Sequence, residues 1–135
     1  MPMHMSRAAS AAAVAAIATA ASVQGAPPVA ATEAQTISCP DANASFLIEF
    51  TRESSRAHIT FWAGTVRDAA PPSATLTSTY NGNTYSISWE TAQGTADGWY
   101  IEGNGSAYAS YGSQVTMWVS YGDVPLFLCT TSIKK

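Results

Sequence analysis

Four carboxylates, one histidine and two cysteines are the side chains in this sequence that are best suited to acid–base or covalent chemistry. Glu90, Asp97, Glu102 and Asp123 fall in its second half. A glycosidase needs two carboxylates held at a set separation, and these four could supply a pair. They stand at the ends of alternating stretches, however, where acids are solvated and serve solubility. His58 sits inside the apolar stretch AHITFWAG, with no serine and acid in a recognisable nucleophile arrangement around it. It reads as a half-exposed strand histidine. No phosphate-binding loop and no zinc spacing occurs, and a single histidine beyond the N-terminal segment leaves no metal site. The sequence therefore predicts a non-catalytic chain with no cofactor.

A different chemistry is written into residues 99–123. Trp99, Tyr100, Tyr108, Tyr111, Trp118 and Tyr121 are interleaved there with serine, glycine and asparagine. Tyrosine offers a large contact area at low rotamer cost, while serine and asparagine supply adaptable hydrogen bonds; recognition loops favour this mixture. The short strand NGSAYAS and the turn YGD are expected to carry two contact loops, around Asn104–Tyr108 and Tyr121–Asp123, at the ends of one strand. They would present Asn104, Gly105, Ser106 and Tyr108 together with Trp118, Ser120, Tyr121, Gly122 and Asp123 as a surface for a protein partner. Flat rings stack on sugars as readily as on side chains, so a carbohydrate is the alternative ligand.

The elements that must hold this surface are strands. SFLIEFT places Phe46, Ile48 and Phe50 on one side, and QVTMWVSYG places Val115, Met117, Val119 and Tyr121 opposite Thr116, Trp118 and Ser120. Asn81-Gly82, between ATLTSTY and TYSISW, is the strongest hairpin signal, because both residues tolerate positive φ. RDAAPPS and TAQGTADG read as loops, and GWYIEG and NGSAYAS as two separate short strands. The expected fold is all-β, a small antiparallel barrel or sandwich of about eight strands with no helix. Cys39 and Cys129, an even pair in an oxidising compartment, predict one disulfide joining the first strand to the last.

The N-terminus carries the features of a secretory signal. Arg7 precedes the uncharged run AASAAAVAAIATAASV, and small residues follow at the expected cleavage point, so residues 1–25 are expected to be removed. The Ala- and Pro-rich segment 26–36 is expected to be a disordered lead-in, with a single domain over 37–135. The full chain holds six basic and nine acidic residues; loss of Arg7 leaves five against nine, a net charge of −4. Clustered Lys and Arg are lacking, which argues against nucleic acid and anionic membranes and is compatible with a basic protein partner. Asn43-Ala44-Ser45 and Asn104-Gly105-Ser106 are glycosylation acceptors in a eukaryotic secretory pathway.

The order Gly105-Ser106-Ala107-Tyr108, then Gly112, Val115, Trp118, Ser120, Gly122-Asp123 and Cys129 resembles the bacterial periplasmic and membrane-bound inhibitors of c-type lysozyme. Ile37-Ser38-Cys39 followed by SFLIEF is similar to the start of that family. The resemblance implies a small antiparallel β-barrel in which a serine of an S-G-x-x-Y motif and a lysine of a turn enter the lysozyme cleft and meet its two catalytic carboxylates. Two positions depart from it. Asn104 stands where the motif has serine, and Tyr121 stands where the turn has lysine. The implied function is a secreted inhibitor of a basic c-type lysozyme; the alternative is an effector-like or cell-wall-binding β-domain.

Overall fold

The computed structural model describes residues 30–40, 42–68 and 70–135. The expected signal peptide and residues 26–29 of the lead-in lie outside the described residues. Nine strands follow one another: β1 (Glu33–Ile37), β2 (Ala44–Arg52), β3 (Ala57–Val66), β4 (Ser73–Tyr80), β5 (Asn83–Ser88), β6 (Thr91–Thr95), β7 (Gly98–Ala109), β8 (Gln114–Tyr121) and β9 (Val124–Ser132). All pairings are antiparallel, in one sheet of order β1-β2-β3-β7-β6 and a second of order β5-β4-β8-β9.

Alternation explains how the two sheets pack. Phe46, Ile48 and Phe50 of β2 are buried, as are Val115, Met117 and Val119 of β8, and they meet Trp62, Leu76 and Ile101 in one core. Fully burying such a side chain contributes about 1.5–3 kcal/mol. The indole N–H of Trp62 would be costly there unpaired; it donates to the Ile87 carbonyl at 2.9 Å. The sheets come together along both sides. On one, Ser38 bridges to Thr130, and the Cys39–Cys129 disulfide lies beside that bridge, with Cα atoms 4.5 Å apart and a sequence separation of 90. On the other, the Trp89 N–H donates to Ala74 of β4 while the Glu90 N–H donates to Glu102 of β7. The chain thus passes from one sheet to the other at Trp89-Glu90. Two sheets that approach without closing make a sandwich, the second of the two architectures expected.

Three differences from the expected strands have physical causes. Residues Glu33–Thr36 are part of β1, so the ordered domain begins before Ile37. TAQGT is β6, not loop. Both are outermost strands of the first sheet, held by their ladders to β2 and β7 and burying little. GWYIEG and NGSAYA form one strand of 12 residues, β7. The Asn81-Gly82 turn is as expected, with φ of 52° and 80°, the conformation of a two-residue primed hairpin turn.

The ladder registers sort the turns into two poles. The β2–β3, β4–β5 and β7–β8 turns share the first pole, where the Ser110 N–H donates to Thr79 and the Tyr111 hydroxyl donates to the Arg56 carbonyl at 2.9 Å. The β3–β4, β6–β7 and β8–β9 connections share the second, where Val66 pairs with Trp99 and Ser73 with Ser120.

Candidate functional site

The first pole concentrates the groups most capable of recognition. His58 of β3 and Tyr108 of β7 are direct cross-strand partners, and their rings stack at 4.6 Å with 20° between planes. Tyr85 meets Tyr108 edge-on at 5.3 Å. Arg56 lies just before β3 in the β2–β3 turn. Its guanidinium sits 3.7 Å from the centre of the Tyr108 ring and 5.2 Å from that of Tyr80, the geometry of a cation on aromatic faces. Glu53 accepts a hydrogen bond from Arg56 Nε at 2.7 Å. That bond holds the guanidinium above its ordinary pKa, against the lowering effect of desolvation, with smaller contributions from Tyr108 and Tyr80. The turn is fastened by Tyr111 and by contact of Ser55 Oγ with Tyr80 Oη at 3.2 Å.

Ser106 completes the cluster. Its Oγ lies 2.7 Å from His58 Nε2, and His58 Nδ1 lies 3.8 Å from Glu53 Oε2. Serine, imidazole and carboxylate are thus in sequence, but the second separation exceeds hydrogen-bond reach, and the other Glu53 oxygen is engaged by Arg56. An imidazole so placed can exchange a proton with Ser106 without a carboxylate fixing its tautomer. The β3–β7 ladder changes register between Ile59 and Phe61, opposite Gly105 and Ser106. An irregularity of this kind re-aims a strand side chain.

Charge follows the same division. Of the five Lys and Arg among the described residues, Arg52, Arg56, Lys134 and Lys135 belong to the first pole, where Arg52 also donates to the Lys134 carbonyl. Glu33 and Glu53 are paired there with Arg52 and Arg56. The second pole has Arg67 with Asp68, Asp97 and Asp123.

The structure separates the residues expected to form a single surface. Asn104, Gly105, Ser106 and Tyr108 are in β7, not in a loop, and the last two belong to the first pole. Trp118, Ser120 and Tyr121 are in β8, and Gly122-Asp123 form the exposed β8–β9 turn at the second pole. Ser78 Oγ donates to the Tyr108 carbonyl at 2.8 Å near the end of β4, whereas Ser120 pairs with Ser73 at its start. Five residue steps of strand separate these points, about 17 Å. The two segments therefore cannot enter one cleft together. Trp118 is half exposed; its indole donates to Thr77 Oγ1 at 2.7 Å, and it stands across from Leu128 on the outer face of the second sheet.

Arg56, Glu53 and Tyr80 were not singled out in the sequence. Their association is made by cross-strand packing of three turns distant along the chain, and the polar run RESSR was its only local sign. Among the described residues no group of three or more His, Cys, Asp or Glu side chains is disposed to hold a metal ion. Comparison of the chain with family models, with curated proteins and with solved structures finds no match.

Proposed function

We propose that this chain is a secreted, non-catalytic binding protein of the kind that inhibits c-type lysozyme, and that it meets its partner with the first pole. The observation that carries this reading is the Arg56 guanidinium held on the ring of Tyr108 at 3.7 Å, with Tyr80 near it and with Ser106 hydrogen-bonded to His58, which stacks on that same ring. A cleft lined by two carboxylates calls for a cation and hydroxyl donors. Tyr121 offered no cation in the position that the resemblance implies. Arg56, brought in from another strand connection, does. Arginine and tyrosine are also the residues that most often dominate interface energetics. The opposite pole, with three aspartates against Arg67, would be repelled by such a cleft.

Supporting features are the disulfide that ties the two sheets and the stacked rings that fix the Arg56 side chain before binding, which lowers the entropy lost on association. The test is titration of a c-type lysozyme with the purified protein, followed by activity on cell-wall substrate. Stoichiometric inhibition that is weakened in Arg56→Ala and Tyr108→Ala is expected. Unaltered lysozyme activity at micromolar protein would remove the reading.

A further inference from the structure

The two sheets differ in charge. β4, β5, β8 and β9 contain no Asp, Glu, Lys, Arg or His at any position, whereas the first sheet carries Glu33, Glu49, Arg52, His58 and Glu102. The inward half of the second sheet needs no charge, because Leu76, Ile87, Met117 and Cys129 belong to the core. Its outward half faces water, where an antiparallel sheet turns its polar residues. Here those residues are hydroxyls, joined by one indole and one leucine.

The ladder registers set them in two rows. Ser88, Thr75, Trp118 and Leu128 are successive partners across β5, β4, β8 and β9, and Ser86, Thr77, Thr116 and Thr130 form the row beside them. Neighbours within a row are about 4.8 Å apart, and the rows about 6.7 Å apart. Trp118 and Leu128 are 50 % and 48 % exposed. The Trp118 indole donates to Thr77 Oγ1 at 2.7 Å, its diagonal neighbour in the other row. That bond draws the ring over β4 and fixes it on the sheet while half of the side chain still meets solvent.

This face selects its occupant. Having no charge, it offers no electrostatic complement to an anionic or a cationic partner. A second copy laid over the two rows would bury roughly 500 Å² in total, well under the about 1,200 Å² of a stable interface. Addition of a strand at the β9 edge is hindered, since Ser38 already bridges Thr130 and Pro125 has no N–H to offer. A flat, neutral ligand with hydroxyls at a regular interval meets all these conditions. In a β-1,4-linked hexose chain the ring substituents are equatorial, which makes a ribbon with C–H groups on its broad faces and hydroxyls along its margins. The C–H face suits an indole. Serine and threonine hydroxyls, each both donor and acceptor, suit the margins. We propose that the outer face of the second sheet binds a neutral β-1,4-linked polysaccharide, with Trp118 against a sugar face and Thr75, Ser86, Ser88 and Thr130 hydrogen-bonded to ring hydroxyls.

The experiment is depletion of the disulfide-bonded protein from solution by microcrystalline cellulose and, separately, by chitin powder. At least one polymer is expected to bind with an apparent Kd between about 1 μM and 100 μM. Binding to cellulose alone, to chitin alone or to both supports the proposal and says whether the ribbon is a glucan, an N-acetylated chain or either. Trp118→Ala is expected to weaken binding at least about tenfold. Thr75→Lys, which sets a charge in the middle of a row, is expected to weaken it at least about fivefold and remains informative where Trp118→Ala perturbs folding. The proposal is overturned if neither polymer binds below about 1 mM, or if both variants bind like the parent. It is overturned equally if sedimentation velocity shows a dimer that Trp118→Ala dissociates while neither polymer binds, because the face then meets a second copy. Lysozyme inhibition is read at the first pole and should persist in both variants, so the two readings fail separately.

Discussion

Tyr108 and Tyr121 lie toward opposite ends of the sandwich. The carbonyl of Tyr108 is held by Ser78 near the end of β4, while Tyr121 follows Ser120, the partner of Ser73 at the start of that strand. Residues this far apart with no shared partner act independently. Tyr108→Ala is expected to raise the lysozyme inhibition constant about tenfold to a hundredfold, as removal of a central interface aromatic does. Tyr121→Ala is expected to leave it within about twofold, and the double variant should match the product of the two. Inhibition titrations on the four proteins check this; a large effect of Tyr121→Ala alone would place the contact at the wrong pole.

The charge on Arg56 should appear in kinetics before affinity. A guanidinium facing an acidic cleft accelerates encounter, and salt screens the effect. Arg56→Gln is expected to slow association with lysozyme and to flatten its dependence on ionic strength. Surface-plasmon measurements at low and at physiological salt would test it. Equal salt slopes for parent and variant would show that Arg56 lies outside the contact.

Where side chains face a core, the sequence was readable; where they do not, it was silent. Val115, Met117 and Val119 alternate because they are buried beneath the second sheet, and Asn81-Gly82 announces its turn through backbone conformation alone. In contrast, β1 contributes only Ile37 to the core and β6 is exposed along most of its length. Outer strands of this kind are stabilised by ladder hydrogen bonds, which leave no hydrophobic period. Gly103 and Gly105 suggested a break between two short strands for a related reason. A Cβ on Gly103 would stand 2.6 Å from both the Ser88 carbonyl oxygen and Trp62 Nε1, and one on Gly105 would meet Ile87 at 3.2 Å. They mark where β5 crosses closely over β7, a use of glycine within strands that resembles a break. The Arg56–Tyr108 contact needed three-dimensional packing and had no one-dimensional sign.

The disulfide should dominate stability. It closes a loop of 90 residues, for which the chain-entropy model gives about 4–5 kcal/mol. With a urea dependence of about 1–3 kcal/mol per molar for a small domain, reduction should lower the unfolding midpoint by more than about 1 M. Urea titrations of the oxidised protein and of Cys39→Ser/Cys129→Ser would measure the shift. A midpoint unchanged within error would mean that the Ser38–Thr130 bridge and the shared core hold the sheets without it.

Gly64 is required by packing rather than by φ. The Phe46 ring lies directly over it, and an added Cβ would collide with Phe46 Cδ1 while standing 2.5 Å from the Ser45 carbonyl oxygen. Phe46 is itself buried edge-on against Trp62, with centroids 6.0 Å apart, so it has little room to yield. Gly64→Ala is expected to destabilise the fold by about 1–3 kcal/mol, the usual cost of overpacking. Gly112→Ala, with open space around its Cβ but φ of 83°, should be destabilising only through backbone strain. Thermal unfolding of both variants distinguishes steric from conformational cost.

Ser106 and His58 give the sharpest check on the non-catalytic reading. A serine 2.7 Å from an imidazole is half of an acyl-transfer device. The other half is a carboxylate bonded to the second ring nitrogen, and here Glu53 stays 3.8 Å away while Arg56 occupies its other oxygen. Without that bond nothing selects the tautomer that accepts the serine proton, a loss that costs about 10⁴-fold in kcat where such a triad operates. Ser106 should therefore resist a fluorophosphonate probe, with the intact mass of the protein unchanged after prolonged incubation. Arg56→Ala frees Glu53 to approach His58, so it is the variant in which slow labelling could first appear. A stable adduct on Ser106 in the parent protein, abolished by His58→Ala, would make this pole an esterase site instead.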